Sequence, residues 1–359
     1  MTTTATAPRR PTPEPTITLG QERRLPKWVL PALLVVCVAA VWGFQTATSE
    51  AGPTFIGVAF LSALLFIVVA FVVSRVVEGP RWAADTLARV LVYGAFGVAV
   101  VPLFSLLWTV IVHGGAMLSW DFISKDMTGI FGDLAGGGVF HAIVGTAWVT
   151  GIAALIAVPT GIFCAIYLVE YGNNGRLSRG ITTMVDVMTG IPSIVAGLFA
   201  YSLFAQLFGP GYKAGVIGAV ALAVLMTPLV VRQTEEMLRL VPNELREAAY
   251  ALGVAKWRVV TKVVLRTAVA GITTGVMIAL ARVIGETAPL LVTVGTVTSV
   301  NNNPFDGRTA TLPVIAYRFY AQGDYERAWG AALVLVIIVM LLNLIARWVS
   351  KTFAPKGGH

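Results

Sequence analysis

Long apolar stretches alternate with short polar segments along the whole chain. Eight of these stretches come close to or exceed the ~20 apolar residues that an α-helix needs to cross a bilayer. They cover residues 28–47, 54–73, 90–112, 139–169, 181–208, 214–231, 267–300 and 331–349. The pattern predicts an all-α, polytopic membrane protein.

The polar segments divide the chain into regions of different composition. Residues 1–27 are rich in Thr and Pro, and we expect a disordered cytoplasmic tail there. Residues 28–89 are predicted to form a two-helix hairpin followed by a basic cytoplasmic linker, and residues 90–349 contain the other six spans. Residues 350–359 are predicted to be a second cytoplasmic tail. The sequence therefore predicts a six-helix core with an added helix pair to which it assigns no role.

Composition and charge agree with a membrane location. Hydrophobic residues make up 57% of the 359 residues and charged residues 12%, which is too apolar for a soluble globule of this size. With the N-terminus in the cytoplasm, most of the 26 Lys and Arg residues fall in inner connections, which is the positive-inside pattern. Both termini are then cytoplasmic, and the net charge of +8 needs no nucleic-acid partner.

A polar segment over residues 232–266 interrupts two of the apolar spans. Pro242 and Asn243 provide a helix start, with Asn243 as the predicted cap, and Gly253 stands where the helix would stop. The apolar positions between these signals recur at helical spacing and are Leu245, Ala248, Ala249 and Leu252. The segment predicts a short amphipathic helix on the cytoplasmic side, available to a soluble partner.

Two charged residues, Arg282 and Glu286, lie inside a predicted span. A charge at bilayer depth costs about 2.5–3.5 kcal/mol on insertion scales, so both should face protein or water, and their spacing predicts an ion pair. An arginine facing a cavity suits the oxygens of an anion, whereas a structural salt bridge between helices is the other interpretation. Their depth stays open, because the apolar stretch continues to Val300 while Gly285 and Pro289 favour a break.

Prolines inside apolar stretches are candidate kinks or gates, and they are Pro159, Pro192, Pro228 and Pro289. A packing kink and a bent helix that lines a passage are both compatible with them. No phosphate-binding Gly-rich loop, catalytic Ser, His and Asp set or metal-ligand cluster is visible. The sequence therefore predicts a protein that is not an enzyme and that itself binds no metal or cofactor.

The polar segment resembles the cytoplasmic signature of ABC-importer permeases. That signature has Glu-Ala-Ala, three residues, Gly, nine residues, then Ile-x-Leu-Pro. Here it is Glu247-Ala248-Ala249, Gly253 and residues 263–266, with Arg266 in place of the final Pro. Further segments resemble the A-type permease of phosphate-specific importers, and they are Tyr167–Tyr171, Ile191–Gly197 and Ala281–Leu291. The resemblance covers roughly residues 90–349.

The resemblance implies a type I ABC-importer permease that moves inorganic phosphate across the cell membrane. It implies a coupling helix at Glu247, Ala248, Ala249 and Gly253, and a phosphate pathway at Arg282 and Glu286. The implied partners are a C-type permease, two copies of an ATPase subunit that binds ATP and Mg, and an extracytoplasmic phosphate-binding protein.

Other interpretations of the same residues remain open. A permease of this superfamily for molybdate or sulfate would share the motifs. A gradient-driven carrier would use Arg282 and Glu286 for an anion and a proton and would need no ATPase. A purely structural scaffold would leave the two charges within the span unexplained.

Overall fold

The structure is a computed structural model that describes residues 25–26, 28–48, 52–130, 134, 136–173 and 175–353. Its regular elements, over these residues, are helices, as the hydropathy pattern predicts. The chain forms two compact units, Met1–Leu106 and Leu107–His359. The predicted tail at residues 1–27 lies outside the described residues except for Leu25 and Pro26.

The first unit contains helices α1 (Val29–Thr48), α2 (Phe55–Val77) and the first part of α3 (Pro80–Met117). The basic linker predicted at residues 74–89 is instead helical, apart from a two-residue turn. Gly79, with φ of +94°, makes that turn possible, and Pro80 suits the first position of α3. The Glu78 carboxylate at the turn accepts hydrogen bonds from the Ser74 hydroxyl at 2.6 Å and the Leu25 amide at 2.7 Å.

The second unit contains the remaining helices. They are α4 (Trp120–Ser124), α5 (Phe140–Ile166), α6 (Arg176–Thr189), α7 (Ser193–Phe208), α8 (Gly215–Arg239), α9 (Asn243–Ala251), α10 (Lys256–Val259), α11 (Leu265–Ile284), α12 (Ala288–Thr293), α13 (Leu312–Ala321) and α14 (Tyr325–Phe353). One π-helical turn, Tyr167–Tyr171, extends α5, and another, Val260–Val264, joins α10 to α11. Helix α14 extends into the segment predicted as a tail at residues 350–359.

Helices α5 and α8 form the centre of the second unit. Small residues occur at every fourth position of α5, and Ala153, Ala157, Gly161 and Ala165 are all buried. A Cβ atom at Gly161 would lie 2.7 Å from Cγ1 of Val230 on α8. This is the small-residue packing that lets membrane helices approach closely, and it makes α8 the most buried of the candidate spans among the described residues.

The apolar stretch predicted as one span at residues 181–208 is bent. Helices α6 and α7 meet at 106° across Gly190–Pro192. The residue before a proline is disfavoured in the helical conformation, so the chain turns there. Over the described residues, seven helices are long and apolar enough to cross a membrane, or eight if the bent pair is counted as one span.

The stretch predicted as one span at residues 267–300 is also not a single helix. Its helix begins at Lys256, passes without interruption through Arg266, and ends at Ile284. A proline ring at position 289 would clash with the carbonyl of Gly285 in a continuous helix. The chain therefore breaks over residues 285–287, and Pro289 lies in the first turn of the new helix α12.

Candidate functional site

Helix α9 confirms the predicted short helix between the apolar spans. Its stop is as predicted, because Gly253 has φ of +70°. The Gly253 amide donates to the Tyr250 carbonyl at 2.9 Å and the Val254 amide to the Ala249 carbonyl at 3.2 Å, which is a Schellman motif. The predicted cap is wrong: Asn243 is already the first helical residue, and the N-cap is Pro242.

The apolar positions of α9 lie on a face that this chain leaves largely uncovered. Ala249 is half-buried and contacts an apolar cluster formed by α5, α6 and α8 together with the segment from Val254 into α11. In contrast, Leu252 is 83% exposed, Leu245 is 43% exposed, and Ala248 and Glu247 are also exposed. A helix with an apolar face that its own chain does not bury has surface available for another subunit.

Arg246 fixes the side of α9 that faces the other helices. Its Nη2 and Nε atoms donate to Oε1 of Glu170 at 2.9 Å and 3.1 Å. The guanidinium also donates to the backbone carbonyls of Leu238 at 2.9 Å and Val241 at 2.6 Å. The pair joins the π-helical end of α5 to α9; Glu170 is buried, at 5% exposure, and Arg246 is mostly buried, at 13%.

Sequence reasoning missed this pair. Glu170 lies within a family-like segment and Arg246 lies beside the Glu-Ala-Ala motif, but the two residues are 76 positions apart. No periodicity relates residues on different helices, so only their packing brings them together.

A second set of charges lies at the same end of the bundle, which we call the α9 end. Glu235 of α8 is 6% exposed and accepts from Arg232 at 2.9 Å and from Arg239 at 2.5 Å. Arg232 also pairs with Asp186 of α6, whose carboxylate is 60% exposed. Asp186 thus reaches water while it ties α6 to α8.

Arg282 and Glu286 lie away from the α9 end, at the end of α11. Arg282 is in the last turn of α11, about 39 Å from Lys256 at 1.5 Å per residue. It lies level with the middle of α8, because its neighbours Ala279 and Val283 share an apolar cluster with Met226. Arg282 is exposed and Glu286 is half-buried. The predicted ion pair between them is wrong, since none is present between these two described residues. The helix ends at Ile284, between the two residues, and the i,i+4 geometry is lost.

The structure brings two of the family-like segments into contact beside Arg282. Helix α7, which starts in Ile191–Gly197, packs against α12, which lies in Ala281–Leu291. A Cβ atom at Gly197 would lie 2.6 Å from Cα of Pro289, so glycine is required for this approach. The break that carries Glu286 is therefore held between α11 and the α7–α12 contact.

The four prolines fall into two groups. Pro192 and Pro289 stand at helix breaks, whereas Pro159 and Pro228 lie inside the uninterrupted helices α5 and α8. No group of three or more potential metal ligands occurs within the described residues.

Comparison with known proteins defines the class of protein first. Residues 157–357 match the family described as "Binding-protein-dependent transport system inner membrane component". A chain in the crystal structure of a bacterial alginate ABC transporter, bound to an alginate-loaded periplasmic protein, has the same fold with a TM-score of 0.52 and 14% identity. The match covers 78% of this chain and 100% of that one. The fold and the family match thus define a multi-pass permease of an ABC importer.

Closer relatives narrow the class to one family. The phosphate transport system permease protein PstA 1 of Mycobacterium tuberculosis strain H37Rv is 45% identical over 279 residues, covering 77% of this chain and 90% of the relative. The corresponding PstA of Mycobacterium leprae is 44% identical (76% and 90% covered), and that of Pasteurella multocida is 41% identical (67% and 85% covered). This chain belongs to the PstA family of phosphate transport system permease proteins.

Proposed function

We propose that this chain is the A-type permease subunit of an ATP-driven ABC importer for inorganic phosphate. The observation that carries the proposal is the 45% identity to a phosphate permease across 77% of the chain. A molybdate or sulfate permease is not favoured, because the similar permeases named above are phosphate transport proteins. The subunit is a transporter component, and ATP hydrolysis belongs to a separate subunit.

We assign the α9 end to the cytoplasm, with both chain termini on the same side. The excess of Lys and Arg in the connections at that end supports this orientation. The proposed assembly contains this chain, one C-type permease, two ATPase subunits that bind ATP and Mg, and an extracytoplasmic phosphate-binding protein. The uncovered face of α9 supports a contact with the ATPase.

The coupling role of α9 is assigned to four residues. The exposed Leu245–Leu252 face would enter a groove of the ATPase, and Ala248 on that face leaves room for close approach. Glu247 is exposed and available to a cationic side chain of the partner. Ala249 packs α9 onto the bundle, and Gly253 sets the direction in which the chain leaves the helix. ATP-driven dimerisation of the ATPases would then move α9.

Arg282 is proposed as a phosphate contact within the pathway, with Glu286 beside it. The guanidinium is exposed and does not pair with Glu286, so its planar donors are available to phosphate oxygens. Glu286, held in the break after α11, would limit how tightly an anion binds there by like-charge repulsion. Pro192 and Pro289, which stand at the two breaks of this region, are the proposed hinge positions.

The proposal is tested by reconstituting the complex in proteoliposomes with the phosphate-binding protein. Radiolabelled phosphate uptake should require ATP and a hydrolysis-competent ATPase, and excess molybdate or sulfate should not compete. Uptake driven by an ion gradient without the ATPase would instead identify a carrier. Strong competition by molybdate or sulfate would reassign the substrate.

A further inference from the structure

We propose that Glu170 is a positioning residue that makes α9 and the end of α5 move as one body through its ion pair with Arg246. This inference rests on the proposed coupling function and deepens it. In that function the ATPase displaces α9. The backbone passes the displacement to α8 and α10, and the Glu170–Arg246 pair passes it directly to α5.

The geometry of the pair supports this role because one guanidinium contacts three elements. Arg246 belongs to α9, Glu170 to the π-helical end of α5, and the carbonyls of Leu238 and Val241 to the end of α8 and the turn after it. The fork of an arginine is rigid and planar, so several simultaneous hydrogen bonds fix its orientation. A displacement of α9 relative to α5 or α8 would break at least one of them.

Packing alone holds α9 weakly. No residue of α9 is fully buried, and its contact with the apolar cluster beneath it is made by the half-buried Ala249. Its covalent connections lead to α8 and α10, and none leads to α5. The ion pair with Glu170 is therefore a direct polar link between α5 and α9, beside the apolar cluster to which both helices contribute.

Because the pair is mostly buried, its loss should cost folding free energy. At 5% and 13% exposure, neither side chain is well solvated, and removal of one leaves the other charge buried without its partner. This differs from the exposed Lys125–Asp121 pair, at 61% and 67% exposure, whose contribution is expected to be small. Helix α5 packs along α8 and forms the centre of the second unit, so a body that includes α5 reaches the whole unit.

The backbone around Glu170 is π-helical. The turn is closed by the Gly172 amide, which donates to the Tyr167 carbonyl at 2.7 Å. Such a turn holds one more residue than an α-helical turn and so changes the face on which the following side chains lie. We infer that the turn directs the carboxylate to Arg246.

The test uses the complete complex in proteoliposomes and the variant Glu170→Gln. The neutral amide keeps the shape of the side chain and loses its charge. Phosphate moved per ATP hydrolysed should fall about tenfold, while the ATPase stays bound and hydrolyses ATP. Hydrogen exchange of amides 243–254, measured on the same complex, should become about tenfold faster because α9 separates from α5 more often.

Glu244→Gln is the matched control. It makes the same chemical change in the first turn of α9, where the carboxylate is exposed and forms no ion pair within the described residues. Its transport stoichiometry and amide exchange should equal those of the unmodified complex.

Unchanged stoichiometry and unchanged exchange in Glu170→Gln would overturn the inference. If that variant does not assemble, Arg246→Lys decides: it keeps the charge but replaces the fork with a single ammonium, and a wild-type ratio would again overturn the inference. Failure of the proposed function has a different signature, because the unmodified complex would then hydrolyse ATP without moving phosphate. Amide exchange does not depend on transport and still tests the pair.

Discussion

Two regions of the second unit treat charge differently. At the α9 end, Glu170 and Arg246 come from distant parts of the chain and form a mostly buried pair. At the break after α11, Arg282 and Glu286 are four residues apart and do not pair with each other. Paired charges fix the position of a helix, whereas an exposed guanidinium without such a pair keeps its donors for a ligand. The difference fits the proposed roles, which are mechanical coupling at α9 and anion contact at Arg282.

The largest expected effect comes from removing the Arg282 charge. Arg282→Gln should reduce phosphate uptake about a hundredfold, the upper range for a charge-assisted hydrogen bond, while the complex remains assembled. Uptake in proteoliposomes and co-purification of the ATPase measure the two properties. Arg308→Gln, an exposed arginine in the loop between α12 and α13, is the control. Full uptake by the Arg282 variant would remove the anion-contact role.

A smaller loss is expected when the exit from α9 is changed. Gly253→Pro cannot adopt the observed φ of +70°, because proline is restricted to about −65°. The Schellman motif should be lost, and ATP-dependent phosphate uptake should fall about tenfold or more with weaker ATPase binding. Gly307→Pro makes the same change at a glycine with φ of +75° in the loop between α12 and α13 and should leave ATPase binding intact. Normal binding and uptake in the Gly253 variant would argue against docking through α9.

A smaller effect is expected from a change in the packing between α5 and α8. Gly161→Ala places a methyl group 2.7 Å from Val230, which should destabilise the α5–α8 contact by about 1–3 kcal/mol. Thermal unfolding of the purified complex measures the change. Gly151→Ala on the same helix meets no atom within 4 Å and should have little effect. Equal unfolding temperatures in the two variants would show that α5 and α8 adjust without cost.

The smallest effect is expected from deletion of the added helix pair, α1 and α2. Neither the Glu170–Arg246 pair nor Arg282 and Glu286 lie in the first unit, so deletion of residues 1–73 should leave phosphate uptake within about twofold. Uptake by the truncated and complete complexes provides the comparison. Loss of assembly would show that the pair is an integral part of the importer.

Local features of the chain predicted local features of the structure. Hydropathy predicted the membrane helices, and the Pro and Gly signals around residues 242 and 253 predicted α9, because each depends on neighbouring residues. Predictions failed where one local rule overrode another. The apolar stretches at 181–208 and 267–300 do not form single straight helices, since Pro192 and Pro289 interrupt the backbone within them.

The sequence by itself determined that this protein is a helical membrane permease, since apolar length, motif spacing and family similarity are properties of the linear chain. Tertiary structure alone decided that Glu170 pairs with Arg246, because that burial requires α5, α8 and α9 to meet. Electrostatic partners are set by distance in space, which sequence spacing specifies only within one uninterrupted helix.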